Sequence, residues 1–399
     1  MKFPLTVRPT SRGLGFGILV VALYLFAGQT QIGWLYVMVA MGLAWLVLSL
    51  VVPLWAISAL RIERAVTAPA GGLPVEDEPV EVRLRVDNTG QTTRRFVRLI
   101  DRCPLDAPDR PARTLVAARL PAGRTTDLTY QVTGYLRGVY RWPPLRVESA
   151  GPLGLFRFSR RLAIPTEVMV LPPVIAAMGT LAGVRREPAP AVRPRRGNGL
   201  DLYGTREYHH GDPIRQVHWR STARHRALVV REFEEPRQPS LTIWIDNAVT
   251  YGRGRESTLE YAVKLATGLG VWALRAGYAV WLVDRITGTA CRTPIQLRQS
   301  IARTVVAGPV AWPAPVEALR SGLAVALRPL GGPDGDPPIH PGLTKPVLVG
   351  LAGFTGQSAD PTEPCPMIVY AGSDLTREVT RLISLVQQPD AVAGPGSRT

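Results

Sequence analysis

Residues 13–60 form a run of 48 positions without a charged side chain. As one helix the run would reach about 72 Å, well past the roughly 20 apolar residues that one membrane crossing needs. It suits two crossings, broken at Gly28-Gln29-Thr30-Gln31, and the pattern predicts spans at 14–27 and 32–52. Beyond residue 61 the apolar period shortens to two. Val80, Val82, Leu84 and Val86 alternate with Glu81, Arg83, Arg85 and Asp87, the pattern of a half-buried strand. Asn88-Thr89-Gly90 reads as a turn, and Leu128, Tyr130 and Val132 alternate again. Further strand-like runs at 96–100, 115–120, 138–142 and 167–171, with no helical period between them, predict a β-sandwich-like domain over 61–172. From 237 onward the pattern alternates. A strand at 240–246 precedes Ser257 and Glu260, a capping-box pair, and a helix to about residue 275 with Leu259, Val263, Ala266, Leu269 and Ala273 on one face. A strand at 278–283, helices at 294–306 and 316–328, strands at 346–351 and 367–370, and a helix at 374–386 follow. Such alternation implies a largely parallel sheet covered by helices, a Rossmann-type α/β domain over 237–388.

Charge orients the apolar hairpin. Lys2, Arg8 and Arg12 precede the first span, Arg61 and Arg64 follow the second, and the connecting loop has no charge. The positive-inside rule then places both termini and all soluble domains in the cytoplasm, on a multi-pass protein of the inner (cytoplasmic) membrane. A cleaved signal peptide is the competing reading, and no clear small-x-small cleavage site supports it. The net charge of +16 changes the picture less than its size suggests. Among 47 basic residues only Lys2, Lys264 and Lys345 are lysines, and Gly (38) and Pro (37) are also abundant, as a GC-rich coding sequence would produce. No aromatic-basic motif accompanies the charge, so no specific nucleic-acid partner is expected. Cys103, Cys291 and Cys365 are far apart with no metal or disulfide spacing, and read as reduced thiols.

The densest chemistry lies at 199–236, behind a basic linker at 173–198. Four of the five histidines are here: His209, His210, His218 and His225. Asp212-Pro213 reads as a helix start, with Asp212 as N-cap, a helix over 213–225 and a strand over 227–233. His218 and His225 could share a helix face, which raises zinc or acid–base chemistry, but no H-E-x-x-H and no nearby cysteine is present. The alternative is that Asp212, Arg215, His218 and Arg224 form polar contacts bracing loop and helix against a sheet. A third is a basic strap against anionic headgroups: ten arginines face four acids between 185 and 226. At the carboxyl end of the strand at 240–246, Asp246-Asn247-Ala248-Val249-Thr250 matches a D-x-S-x-S cation motif at Asp246 and Thr250, while Ala248 lacks the oxygen. A divalent cation such as Mg2+ at Asp246 and Thr250 is one reading; Asp246 capping the loop is the other. No nucleophile elbow or P-loop is legible, and no catalytic residue is assigned.

The order Arg206-Glu207-Tyr208, Gly211-Asp212, Arg215, Trp219, Ala223-Arg224 and Arg231-Glu232 resembles the signature of the bacterial domain-of-unknown-function 58 family. Gly151-Pro152-Leu153-Gly154-Leu155-Phe156 is similar to that family's D-P-F-G-L-F run, departing at Gly151 and Leu153. The resemblance implies an N-terminal membrane hairpin, a β-rich region and a C-terminal von Willebrand A-like domain. It implies no agreed activity, and an adaptor or chaperone-like role beside a MoxR-type AAA+ ATPase and other membrane-complex proteins. The expectation is therefore a cytoplasmic N-terminus at 1–12, two membrane helices within 13–60, the domains above, and a disordered tail at 389–399. A protein-binding adaptor without cofactor is the leading reading. A metal-dependent hydrolase using Asp246 and the histidines is the alternative, and a basic anionic-surface binder a weaker one.

Overall fold

The computed structural model describes residues 5–69, 71–177, 196–210, 212–225, 227–234, 239–308, 310–312, 323–331, 347–357 and 365–387, with backbone alone at 196–204, 225 and 232–234. The chain divides into two units, Met1–Leu171 and Pro172–Thr399.

The first unit is built on two helices, α1 (Ser11–Thr30) and α2 (Gly33–Ala56), long and apolar enough to cross a bilayer. They join at Gln31, whose φ of 54° turns the chain at the end of α1. Gly42 lets the helices close: a Cβ there would stand 2.8 Å from Val20 Cγ2. Around the helix feet lie nine strands of the same unit besides β1 (Thr6–Pro9): β2 (Leu60–Thr67), β3 (Pro79–Asn88), β4 (Arg94–Asp101), β5 (Arg113–Leu120), β6 (Thr125–Thr133), β7 (Gly138–Arg141), β8 (Leu145–Ser149), β9 (Phe156–Leu162) and β10 (Glu167–Val170). A five-stranded antiparallel sheet runs β1-β9-β8-β4-β5, a three-stranded one β2-β3-β6, and β7 pairs with β10. Ile62, Leu84 and Val86 of the smaller sheet share one buried cluster with Val97, Leu99, Leu145, Val147 and Phe158 of the larger. Beside it Arg64 and Asp101 are fully buried as a pair at 2.7 Å, and Tyr130 donates to the same carboxylate at 2.8 Å. The strands β1, β8 and β9 escape a periodicity reading because they are short and carry arginine at most outward positions.

The turn Gly151–Phe156 grips both helices. Thr10 caps α1 by accepting from the Gly13 amide, and its own hydroxyl donates to the carbonyls of Gly154 (2.7 Å) and Leu155 (3.0 Å). A Cβ on Gly13 would sit 2.1 Å from the Leu155 carbonyl oxygen. A Cβ on Gly151, at φ +61°, would sit 3.1 Å from Pro53 Cγ of α2. Glycine at 13 and 151 is thus a packing requirement.

The second unit contains β11 (Arg196–Glu207), α3 (Trp219–His225) and β12 (Val229–Glu234), then a six-stranded sheet. Its strands are β13 (Ser240–Ile245), β16 (Ala279–Asp284), β17 (Gly288–Cys291), β18 (Leu323–Pro329), β19 (Val347–Ala352) and β20 (Met367–Tyr370). The short pair β14 (Gly252–Arg253) and β15 (Glu256–Ser257) stands apart. Numbered by appearance, the six strands lie in the order 3-2-1-4-5-6, all parallel except the antiparallel edge β17. Leu241, Ile243 and Ile245 point to the face covered by α4 (Thr258–Arg275), α5 (Pro294–Arg303) and α6 (Leu375–Gln387). Val379, Leu382, Ile383 and Val386 anchor α6 there, each contributing roughly 1.5–3 kcal/mol. The Ser257 hydroxyl caps α4 by accepting from the Glu260 amide, and Gly277 follows the helix at φ +87°.

The expected helix at 316–328 is corrected: 323–329 is the central strand β18, and 316–322 lie outside the described residues. A parallel strand buried on both faces has no alternation, and Leu-Ala-Val-Ala-Leu reads equally well as helix. Most of the linker, Gly211, the loop at 332–341 and the tail from 388 also lie outside them.

Two glycines of α1 predict opposite outcomes. Gly15→Ala meets nothing within 4 Å and should hold or raise the melting temperature in detergent through helix propensity. Gly13→Ala should lower it, overpacking costing about 1–3 kcal/mol of stability. Equal melting of the two variants would show that the turn does not grip the helix.

Candidate functional site

Two places in the second unit concentrate polar side chains: the carboxyl end of β13, and the segment around α3.

At the first, strand register sets the geometry. Ile245 of β13 lies opposite Asp284 of β16, so the next residues, Asp246 and Arg285, emerge side by side. Arg285 Nε donates to Asp246 Oδ1 at 2.6 Å and Nη2 to Oδ2 at 3.1 Å. The side chains are only 6% and 8% exposed. The remaining hydrogen-bonding capacity is taken up locally, as a buried ion pair requires. Asp246 Oδ1 also accepts from the Ala248 amide at 3.1 Å, capping the loop. Arg285 Nη1 donates to the Val310 carbonyl at 2.8 Å, and its guanidinium lies 4.8 Å over the Trp312 ring, which meets Trp244 edge-on. Asn247 holds the frame, accepting from the Arg285 amide (3.0 Å) and donating to the Val305 carbonyl (2.7 Å).

This is the switch point of the sheet, where β13 sends its successors to opposite sides and where open α/β sheets bind ligands. Asp246 is the carboxylate at the end of the strand, and a guanidinium is fixed on both its oxygens. The Thr250 hydroxyl lies instead 3.4 Å from that of Thr258. Among the described residues no group of three His, Cys, Asp or Glu side chains is placed to hold a metal. Arg285 was invisible to motif reading; its signal is its position, directly after the strand that pairs with Asp246's own.

At the second place, β11 and β12 pair antiparallel with Arg206 opposite Val230 and Glu207 opposite Val229. The Arg206 guanidinium grips Asp212 with both nitrogens, at 2.6 and 2.8 Å, and the His209 amide donates to the same carboxylate at 2.9 Å. Arg206 also bonds the Glu207 carbonyl. These contacts, the Arg206 bonds foremost, lower the Asp212 pKa to about 2. Asp212 is therefore a loop brace, which corrects its expected role as N-cap. The expected continuous helix is in fact a 3-10 turn at Ile214–Gln216 and then α3. His218 caps α3, its Nδ1 3.3 Å from the Ser221 amide and 2.6 Å from the Ser221 hydroxyl, while its backbone amide donates to Val229. The Tyr208 amide donates to the carbonyl of Leu228, the residue before β12. Arg215, Trp219, Arg224 and Arg231 project outward as exposed side chains, His209 and His210 are exposed, and the His225 side chain lies outside the described residues.

Breaking the buried pair from one side should be severe. Asp246→Ala should destabilise the protein by roughly 3–5 kcal/mol in denaturant unfolding, because Arg285 is left buried and uncompensated. The double variant Asp246→Ala/Arg285→Met should recover part of that loss; additive losses would contradict the coupling. A second prediction concerns pH. The lowered carboxyl pKa of Asp212 means its contribution is complete above about pH 4 and is lost as pH falls toward 2. Hydrogen exchange of the His209 amide should stay slow to about pH 3 and match the Asp212→Asn variant near pH 2. Equal exchange of both proteins at pH 6 would contradict the brace.

Among curated proteins none matches the chain. Of solved structures, an α-2-macroglobulin from Salmonella reacted with methylamine matches 28% of this chain at 17% identity and TM-score 0.22, the chain spanning 9% of its length. A CARDB domain from Pyrococcus furiosus matches 28% at 12% identity and TM-score 0.19, over 94% of that domain. Residues 204–334 match the family described as "Protein of unknown function DUF58". The matched stretch contains both places described above, and it is a DUF58 domain.

Proposed function

We propose that this protein is a membrane-anchored adaptor whose signature segment binds a protein partner, a MoxR-type AAA+ ATPase complex. The observation that carries the reading is a division of labour within 204–234. Arg206, Asp212 and His218 are engaged internally, while Ile214 and Trp219 are left 69% and 62% exposed. Arg215, Arg220 and Arg224 are exposed in the same short stretch. An exposed tryptophan and isoleucine among arginines, on a backbone braced by a bidentate ion pair, has the composition of an interaction hot spot.

The remaining features support the same reading. The strand order 3-2-1-4-5-6 with one antiparallel edge favours a von Willebrand A-like domain, a scaffold for binding. The shared core of the two sheets favours a β-sandwich spacer. The helices α1 and α2, with basic residues at both outer ends, favour anchoring in the inner membrane with the soluble units in the cytoplasm. Metal-assisted hydrolysis receives less support, because Asp246 is held by Arg285 and His218 serves as a helix cap.

Affinity purification of the full-length protein from its own cells in mild detergent tests the proposal. Trp219→Ala/Arg215→Ala should fold normally and lose at least about tenfold of the copurifying ATPase, as removal of a hot spot does. An ATPase retained equally by wild type and variant, or absent from both, would overturn it.

A further inference from the structure

The outer face of the five-stranded sheet in the first unit is unusual. Its inner face carries Val97, Leu99, Val147 and Phe158. The alternate positions, which face outward, carry Arg98 on β4, Arg146 on β8, Arg157 and Arg161 on β9, and Arg8 on β1. Register sets like charges directly opposite: Arg8 against Arg157, and Arg146 against Arg161. Such pairs are destabilising unless an anion lies between them. Arg8, Arg146, Arg157 and Arg161 line one cleft of about 350 Å3. Its lining includes two hydroxyls, Thr6 and Ser159, 3.0 Å apart, and its single carboxylate, Glu148, lies 3.5 Å from Arg146. Four guanidinium groups and two hydroxyls against one carboxylate are the chemistry of a phosphate site, since arginine recognises phosphate by paired donors.

Its place in the chain indicates the source of the phosphate. Arg8 precedes Ser11, the first residue of α1, by three residues, about 10 Å of extended chain. The headgroup layer occupies roughly 5–7 Å beyond each side of the hydrocarbon core. Arg8, on a strand fixed to the foot of a membrane helix, therefore stands just beyond that layer, within reach of it for a long side chain bent back toward the headgroups. We propose that this cleft binds the phosphate of an anionic phospholipid in the membrane that α1 and α2 enter. The proposal rests on the anchoring reading of those helices and goes beyond it by naming a lipid class and a site.

The test uses full-length protein in neutral detergent, with thermal melting followed on addition of phosphatidylglycerol, phosphatidylcholine or inorganic phosphate. Wild type should be stabilised by phosphatidylglycerol at concentrations at least about tenfold lower than by phosphatidylcholine. Arg146→Gln/Arg157→Gln/Arg161→Gln should lose that preference. In neutral detergent alone it should melt no lower than wild type, because like-charge pairs are relieved. A control with the same charge loss elsewhere in the unit, Arg110→Gln/Arg119→Gln/Arg124→Gln, should keep the preference. Loss in the control, retention in the cleft variant, or equal protection of wild type by inorganic phosphate would overturn the proposal. Carbonate extraction of native membranes separates the two readings. Wild type that stays embedded yet shows no lipid preference sinks the cleft alone; wild type that is released sinks the anchoring and the cleft together.

Discussion

The ion pair between Asp246 and Arg285 fixes the business end of the α/β unit. Its partners come from neighbouring parallel strands whose register delivers them together, and the Asn247 side chain with the peptide groups of Ala248, Val305 and Val310 completes the hydrogen bonding. Two charges this deeply buried are tolerable only in such a frame, because each would otherwise lose several kcal/mol of hydration. The frame has a functional consequence. At the switch point, where related sheet topologies take up ligands, the positive charge belongs to the protein itself. Cation–π contact with Trp312 and the edge-on packing of Trp312 on Trp244 tie that charge to the opposite face of the sheet.

A different constraint shapes the first unit: two apolar helices, long enough to cross a bilayer, must continue into antiparallel sheets within a few residues. The turn Gly151–Phe156 accomplishes this by close backbone approach, with glycine wherever a Cβ would collide. Since β1 is continuous with α1, whatever faces outward on β1 and its neighbour β9 is held near the foot of that helix. Like-charge arginine pairs facing plain water would weaken the sheet, and the proposed headgroup contact is what would relieve them.

Much of this was legible in the sequence because it rests on local chemistry. The uncharged run gave the two helices, alternation at Val80–Val86 gave β3, and Ser257 with Glu260 gave the start of α4. What escaped the sequence depends on pairing across distance. Leu323–Pro329 has no alternation because both its faces are buried, so only its neighbours β13 and β19 identify it as a strand. Asp212 has every local attribute of an N-cap, but Arg206, folded back across the loop, claims its carboxylate and leaves the capping to His218. Asp246 could be singled out as the strand-end carboxylate; that its counter-charge is Arg285, 39 residues on, required the strand register.

The measurement that bears most directly on this account is calorimetric titration of Mg2+ and Ca2+ into wild-type protein and an Arg285→Ala variant, each checked for folding. If the guanidinium occupies the cation position, wild type takes up no stoichiometric cation, and the variant, its carboxylate freed, binds one more readily. Stoichiometric cation binding by wild type that is abolished by Asp246→Asn would contradict it.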